Sequence, residues 1–132
     1  SVKCQLSPIS KRDGLVRIVD YGGKSSETKF RVIKSNKKSH VSLIECMPLS
    51  GRSHQLRVHL ESQGFPLVGD KRYGSNQSLG NMEDKIKGLT TLHHFLHAAS
   101  IEIPDYEKGN PLKITAPIPG NMLDFSKLLK LL

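Results

Sequence analysis

The chain of 132 residues is long enough for one small domain and carries a formal net charge of +8, with a pI of about 9.7. Hydrophobic residues make up 36% of it and aromatic residues 5%, without tryptophan, which allows only a lean core. A surplus of lysine and arginine favours an anionic partner, most commonly nucleic acid, although composition alone does not name RNA. The sequence shows no signal-peptide pattern and no membrane-length apolar run, and Cys4 and Cys46 lack zinc-type spacing. We therefore expect a cytoplasmic protein with reduced thiols and no membrane association.

The first half of the chain has the alternation typical of strands. A short strand is predicted over residues 15–20, followed by a turn at Gly22 and Gly23. Residues 28–34 alternate basic and apolar side chains, which indicates a strand with one solvent-exposed face. Residues 41–46 are predicted to return antiparallel to it, because the polar loop between them is short.

A helix is predicted to follow this hairpin, and the rest of the chain is organised around it. Ser50 or Ser53 is a candidate N-cap, because either hydroxyl can accept the free N–H groups of the first turn. Gly64 is a candidate helix end in the left-handed conformation. Leu56 and Leu60, four residues apart, are expected to face the core together.

Polar side chains that suit an anionic ligand are concentrated at the start of this helix. Arg52 is expected in the first turn, with His54, Gln55 and Arg57 close behind it. A basic side chain beside the free N–H groups of a helix makes a good place for a phosphate. The spacing alone fits an ordinary amphipathic helix with solvated polar residues equally well.

The second half of the chain is predicted to be a polar loop, two strands and a helix. Residues 75–92 are expected to be mostly loop. Residues 95–103 have strand character that Pro104 should end, and residues 112–115 form a second short strand. Residues 121–132 repeat apolar side chains at helical spacing.

Two other site chemistries fit the sequence poorly. His93, His94 and His97 form a cluster, but no cysteine pair completes a zinc site, and a strand would direct His94 and His97 to opposite faces. Ser53 and His54 are neighbours, yet no acid or strand–turn context supports a serine nucleophile. We therefore expect no metal and no serine nucleophile.

Two linked segments carry a specific resemblance. Residues 51–60 (GRSHQLRVHL) and 64–74 (GFPLVGDKRYG) closely resemble the signature of RluA-type pseudouridine synthases, and within that family the large-subunit ribosomal RNA enzymes of the RluC kind. Residues 23–30 match as well, so the resemblance runs from about residue 15 to the end. It implies an α+β fold, with a mixed, largely antiparallel sheet flanked by helices and loops. It also implies an isomerase that converts uridine to pseudouridine in RNA, without metal or organic cofactor.

The resemblance also implies roles for particular residues. Arg57 corresponds to the arginine that keeps the catalytic aspartate of the family ionised and oriented. Leu96 corresponds to a leucine in a core strand beside the cleft that packs near the target base. Arg52, His54 and Gln55 would contact RNA phosphates or bases.

The chain departs from the family pattern at its most important position. The catalytic aspartate lies in a His-Arg-Leu-Asp-type motif, and none of the aspartates of this chain has that context; Asp70 belongs to the matched turn instead. The family's Lys-x-Tyr tyrosine is missing too. We therefore expect residues 1–132 to be the C-terminal portion of a catalytic domain, inactive alone and prone to self-association through surface normally covered. A non-catalytic basic RNA-binding module is the main alternative, and a structural scaffold protein a weaker one.

Overall fold

The computed structural model describes residues 1–74, 94–107 and 109–132, so the predicted loop at 75–92 and His93 lie outside the described residues. The elements in order are β1 (Val2–Leu6), β2 (Ile18–Val19), β3 (Lys24–Asn36), β4 (Val41–Pro48), α1 (Gln55–Ser62), β5 (Ser100–Glu107), β6 (Asn110–Thr115) and α2 (Gly120–Leu128). A four-stranded antiparallel sheet has the order β2-β1-β3-β4, and β5 and β6 form a separate antiparallel hairpin. The fold class is α+β, as predicted. Neither described helix combines the length and apolar character needed to cross a bilayer.

Strand β1 is an interior strand of the larger sheet, and the sequence did not lead us to predict it. It pairs with β2 on one side and with β3 on the other, placing Cys4 opposite Ser26 and Leu6 opposite Lys24. Leu6 is fully buried. The first residues alternate apolar and polar side chains over only five positions, which is a weak signal until a partner strand is known.

Strands β3 and β4 form the predicted antiparallel hairpin. Phe30 lies opposite Cys46, and the register shifts at an irregularity between Val32 and Lys34. Strand β3 is longer than the predicted residues 28–34, because its first half pairs with β1. The predicted strand over residues 15–20 shortens to β2.

Helix α1 begins later than predicted, and its predicted cap is wrong. His54 occupies the N-cap in the left-handed conformation, with φ 54° and no side-chain cap hydrogen bond. Ser50 Oγ instead donates to Gln55 Oε1 and accepts the N–H of Glu27, which ties β3 to the helix start. Gly64, at φ 79°, follows the helix end as predicted.

The helix faces the core through a set of side chains that differs from the prediction. Leu60 is buried, but Leu56 is only half-buried, and Val58 packs with Leu6 and Val16 beneath the sheet. A second cluster joins β4 to the C-terminal segment. It consists of Val41, Phe125, Leu129 and Leu131, with Leu43, Val68 and Phe95 packed against it.

The C-terminal elements correct two predictions. Residues 95–99 are not a strand, and β5 starts at Ser100. It continues through Pro104, where the pairing with β6 is irregular between Ile103 and Glu107. Pro104 lies within this irregularity, where the ladder is interrupted, and such positions tolerate a residue without an N–H. Helix α2 starts one residue early and ends at Leu128.

Candidate functional site

The corner between α1 and the turn at residues 64–74 is held by one ion pair. Arg57 on α1 donates from Nε to Asp70 Oδ2 at 2.7 Å and from Nη2 to Asp70 Oδ1 at 2.8 Å. The Asp70 side chain is 0% exposed and that of Arg57 13%. Because both carboxylate oxygens accept from one planar guanidinium, the pair fixes the orientation of Arg57 as well as its charge.

Asp70 also organises the turn in which it lies. Its Oδ1 accepts the backbone N–H groups of Arg72 at 3.0 Å and Tyr73 at 3.1 Å. Burial raises the pKa of the Asp70 carboxyl, but the hydrogen bonds from Arg57, Tyr73 and Arg72 outweigh it and lower the pKa to about 2. The group is therefore ionised at neutral pH, and its hydrogen bonds join the turn to α1.

Tyr73 connects this ion pair to the start of α1. The guanidinium carbon of Arg57 lies 4.7 Å from the centre of the Tyr73 ring. Tyr73 Oη accepts the N–H of Val16 at 2.7 Å and lies 2.9 Å from Nδ1 of His54. The two matched segments of the sequence thus meet in space through Arg57, Asp70, Tyr73 and His54.

A buried polar network lies on the opposite side of α1, against β1 and β3. His59 is 0% exposed; its Nδ1 lies 3.0 Å from Thr28 Oγ1, and its Nε2 lies 2.9 Å from Ser26 Oγ and 3.3 Å from Cys4 Sγ. Ser26 Oγ donates to the carbonyl of Cys4, so His59 Nε2–H donates to Ser26. Burial lowers the pKa of His59, which is neutral here.

Gln55 belongs to this network and not to the surface. It is 4% exposed. Its Oε1 accepts from Ser50 Oγ and from the N–H of Arg52, and its Nε2 donates to Thr28 Oγ1 and to the carbonyl of Glu27. The RNA contact predicted for Gln55 would require these bonds to break. The geometry gives the side chain a structural task, joining the helix start to β3.

Arg52 and His54 lie at the accessible edge of the corner. Arg52 precedes the helix, is exposed, and donates from Nε to the carbonyl of Ser25 at 3.1 Å. His54 is half-exposed. Burial lowers the pKa of His54, and the nearby guanidinium groups of Arg57 and Arg72 lower it further. The corner therefore presents one cationic and one neutral side chain, and their contacts with RNA stay a prediction.

Leu96 was predicted to lie in a core strand, but it lies in an irregular segment directly after Phe95. The residue is 40% exposed. Phe95 anchors that segment through its N–H bond to the carbonyl of Val68 and its ring contact with Phe125, centroids 4.6 Å apart. The proximity of Leu96 to a target base stays a prediction.

The histidine cluster is described only in part. His97 Nε2 donates to the carbonyl of Ala116 at 3.2 Å, which ties the irregular segment to the residue that follows β6. Within residues 1–74, 94–107 and 109–132, no three or more His, Cys, Asp or Glu residues come together as a metal site would require.

Sequence reasoning missed the residues that hold the corner together. Asp70 and Tyr73 lie in the matched segment 64–74, but the sequence does not indicate that they bind Arg57 and His54. The only sequence signal for His59 is its place between the apolar Val58 and Leu60, and the structure buries all three. Nothing in the local sequence pairs Arg57 with a residue thirteen positions away.

The chain is similar in sequence to known proteins of the family that the two segments resemble. A profile of the RNA pseudouridylate synthase family matches residues 7–62. The ribosomal large subunit pseudouridine synthase C of Escherichia coli O157:H7 is 36% identical over 104 residues, which are 79% of this chain and 31% of that protein. The Vibrio vulnificus protein of the same name is 37% identical over 126 residues, 94% of this chain and 38% of the relative.

Two solved structures have a fold similar to that of this chain. The human RNA pseudouridylate synthase domain containing 4 superposes with a TM-score of 0.71 at 26% identity, over 98% of this chain and 55% of that one. The human RNA pseudouridylate synthase domain containing 1 superposes with a TM-score of 0.61 at 23% identity, and this likeness supports the fold alone. The chain spans about a third of the length of the curated relatives that it matches.

Proposed function

Because the chain belongs to the RNA pseudouridylate synthase family, we propose that the whole protein isomerises uridine to pseudouridine in RNA, and that residues 1–132 are the C-terminal portion of its catalytic domain. The relatives' names support large-subunit ribosomal RNA as the substrate. The net charge of +8 supports a polyanionic partner. We place the protein in the cytoplasm, where it would bind ribosomal RNA.

The observation that carries the proposal is the orientation of Arg57. Its Nε and Nη2 are bound to Asp70, which leaves Nη1 without a partner in the described part of the chain. A guanidinium held on one edge can offer the other to a second carboxylate. In this proposal that carboxylate is the catalytic aspartate, carried by the part of the domain that this chain does not span. Arg57 would keep it ionised and oriented in a partly buried cleft.

Tritium release from ribosomal RNA carrying uridine labelled at C5 tests the proposal, because isomerisation exchanges that hydrogen. We expect release by the whole protein and none by residues 1–132 alone. In the whole protein, Arg57→Ala should lower kcat by about a hundredfold, the scale for losing one preorganised charge-stabilising group. Arg31→Ala is the matched control, because Arg31 is exposed and pairs with Glu45 on β4. Turnover by the isolated chain would contradict the proposal that the catalytic aspartate lies outside residues 1–132.

A second function, a non-catalytic basic RNA-binding module, is favoured by one observation. Arg57 already has a carboxylate partner in Asp70, which keeps the guanidinium oriented without an aspartate from elsewhere. The two functions separate in one experiment on the whole protein. A synthase binds RNA and releases tritium, whereas the module binds RNA in a salt-dependent way and releases none.

A further inference from the structure

The hydrogen bonds at Tyr73 favour one of the two neutral forms of the His54 ring. The N–H of Val16 donates to Tyr73 Oη at 2.7 Å, so this oxygen already acts as an acceptor. His54 Nδ1, at 2.9 Å, is the remaining partner of the hydroxyl within the described residues. The oxygen could accept a second hydrogen bond, but its own proton has no other acceptor among the described residues, so the arrangement that satisfies both groups directs the hydroxyl proton to an unprotonated Nδ1. The neutral ring then carries its proton on Nε2.

The backbone of His54 is also held in an unusual conformation. Its φ of 54° and ψ of 14° lie in the left-handed region, which a non-glycine residue adopts only where its surroundings enforce it. His54 is the N-cap residue of α1, and its ring contacts Tyr73. Nε2 lies on the ring edge opposite Nδ1, and it has no hydrogen-bond partner in the described part of the chain.

We propose that Tyr73 is a positioning residue that holds His54 as the Nε2–H tautomer, so that His54 offers an uncharged hydrogen bond to an oxygen atom of RNA. Arg57, Arg72, Asp70 and His94 act electrostatically on the ring, and the two guanidinium groups disfavour a second proton. An uncharged donor beside the cationic Arg52 separates two tasks at this corner. Arg52 attracts phosphate at any sequence, whereas His54 requires an acceptor at one position.

The tautomer can be measured directly in the 132-residue chain labelled with nitrogen-15. At neutral pH we expect His54 Nδ1 to show the shift of an unprotonated ring nitrogen and Nε2 that of a protonated one; His54→Asn assigns the signals. Tyr73→Phe should abolish this single-tautomer pattern and raise the pKa of His54, because Nδ1 loses its donor. Tyr21→Phe is the matched control, since Tyr21 is 88% exposed. A protonated Nδ1 in the parent chain would overturn the inference.

The ligand half of the inference rests on the proposed function and has its own readout. Fluorescence anisotropy with a short uridine-containing RNA should show about fivefold weaker binding for His54→Asn, the scale of one hydrogen bond. Asparagine tolerates the left-handed backbone but is too short to replace Nε2. Equal affinity of parent and His54→Asn would overturn the donor role and leave the synthase proposal standing. No RNA binding by the parent chain would overturn the RNA partner itself, whatever the tautomer.

Discussion

At the scale of single residues, the Arg57–Asp70 pair should dominate the stability of the corner. Removing one partner of a buried ion pair leaves the other charge without compensation. We expect Asp70→Asn to lower the free energy of unfolding by about 3 kcal/mol, measured by urea denaturation. Asparagine retains an Oδ1 acceptor for the N–H groups of Arg72 and Tyr73, so the loss reports on the charge.

Asp13→Asn is the matched control, because Asp13 forms an ion pair with Arg17 four residues along the chain, at the surface. Exposed pairs contribute little to stability, since water solvates both charges well. The midpoint of denaturation should therefore hardly move. A loss for Asp70→Asn no larger than for Asp13→Asn would contradict the structural role of the buried pair.

Arg52 provides the test of the cationic edge. Arg52→Ala should weaken RNA binding about equally across sequences, because a phosphate contact carries no sequence information. The slope of the logarithm of affinity against the logarithm of salt concentration should fall by about one unit. Lys127→Ala removes the same charge from an exposed position on α2. If Lys127→Ala matches Arg52→Ala, the net charge of the protein and not this corner drives binding.

The sequence identified several residues of this corner correctly, but it predicted their individual roles less well. Arg57, His54 and Arg52 were identified because they lie in one matched segment. The placement of Gln55 depends on Ser50, Glu27 and Thr28, which reach it through the pairing of β3 and the packing of α1. Such contacts follow from tertiary structure and leave no periodic signal in the chain.

At the scale of elements, the junction of α1 with β3 should make stability depend on pH. Folded His59 takes up a proton only at a lower pH because burial lowers its pKa, whereas the unfolded chain does so near the ordinary pKa of about 6.5. The folded-state pKa is the lower one, so its contribution is present above about pH 6.5 and is lost as pH falls below that value. His54 acts in the same direction. Urea midpoints measured at pH 7.5 and pH 5.5 should therefore differ, with the lower value at pH 5.5.

Two variants identify the histidine responsible. His59→Gln should be less stable at neutral pH but should show a smaller difference between the two midpoints, because one titrating group is gone. His40→Asn should keep the parent difference, since His40 is exposed and asparagine accepts its φ of 53°. An unchanged pH dependence in His59→Gln would exclude His59 as the source.

The close approach of β1, β2 and β3 depends on one glycine. A Cβ atom at Gly23 would lie 2.6 Å from a methyl group of Val19 and 2.9 Å from the carbonyl oxygen of Leu6. Overpacking of this kind costs about 1–3 kcal/mol, so Gly23→Ala should lower the urea midpoint. Gly51→Ala has open space and is the matched control. Equal midpoints for the two variants would show that the sheet opens here without cost.

The elements themselves were predictable where strand alternation or helical spacing ran long enough. The β3–β4 hairpin and both described helices were predicted, because each repeats its period over several residues. Strand β1 was missed because it is five residues long and takes its place from two partner strands. Pro104 was expected to end β5, but it lies where the pairing of β5 with β6 is irregular, so its missing N–H removes no regular ladder bond.

At the scale of the whole molecule, the described chain leaves an apolar face uncovered on the β5–β6 hairpin. Ile101 and Ile114 are register partners and are 59% and 50% exposed. Glu102 and Lys113, the next pair, point to the opposite face. An amphipathic hairpin with an exposed apolar side is a surface that other protein usually covers. In the proposed whole protein, the rest of the domain is the candidate cover.

This face should therefore make the isolated chain self-associate. We expect sedimentation velocity to show weight-average mass rising with concentration above the 14.7 kDa of the monomer. The double variant Ile101→Thr, Ile114→Thr should shift the sample toward monomer, because threonine keeps strand propensity while removing apolar surface. Glu102→Thr with Lys113→Thr is the matched control: it alters the neighbouring pair on the other face and leaves the net charge unchanged. Association that survives the isoleucine changes, or that the control abolishes equally, would place the contact elsewhere on the molecule.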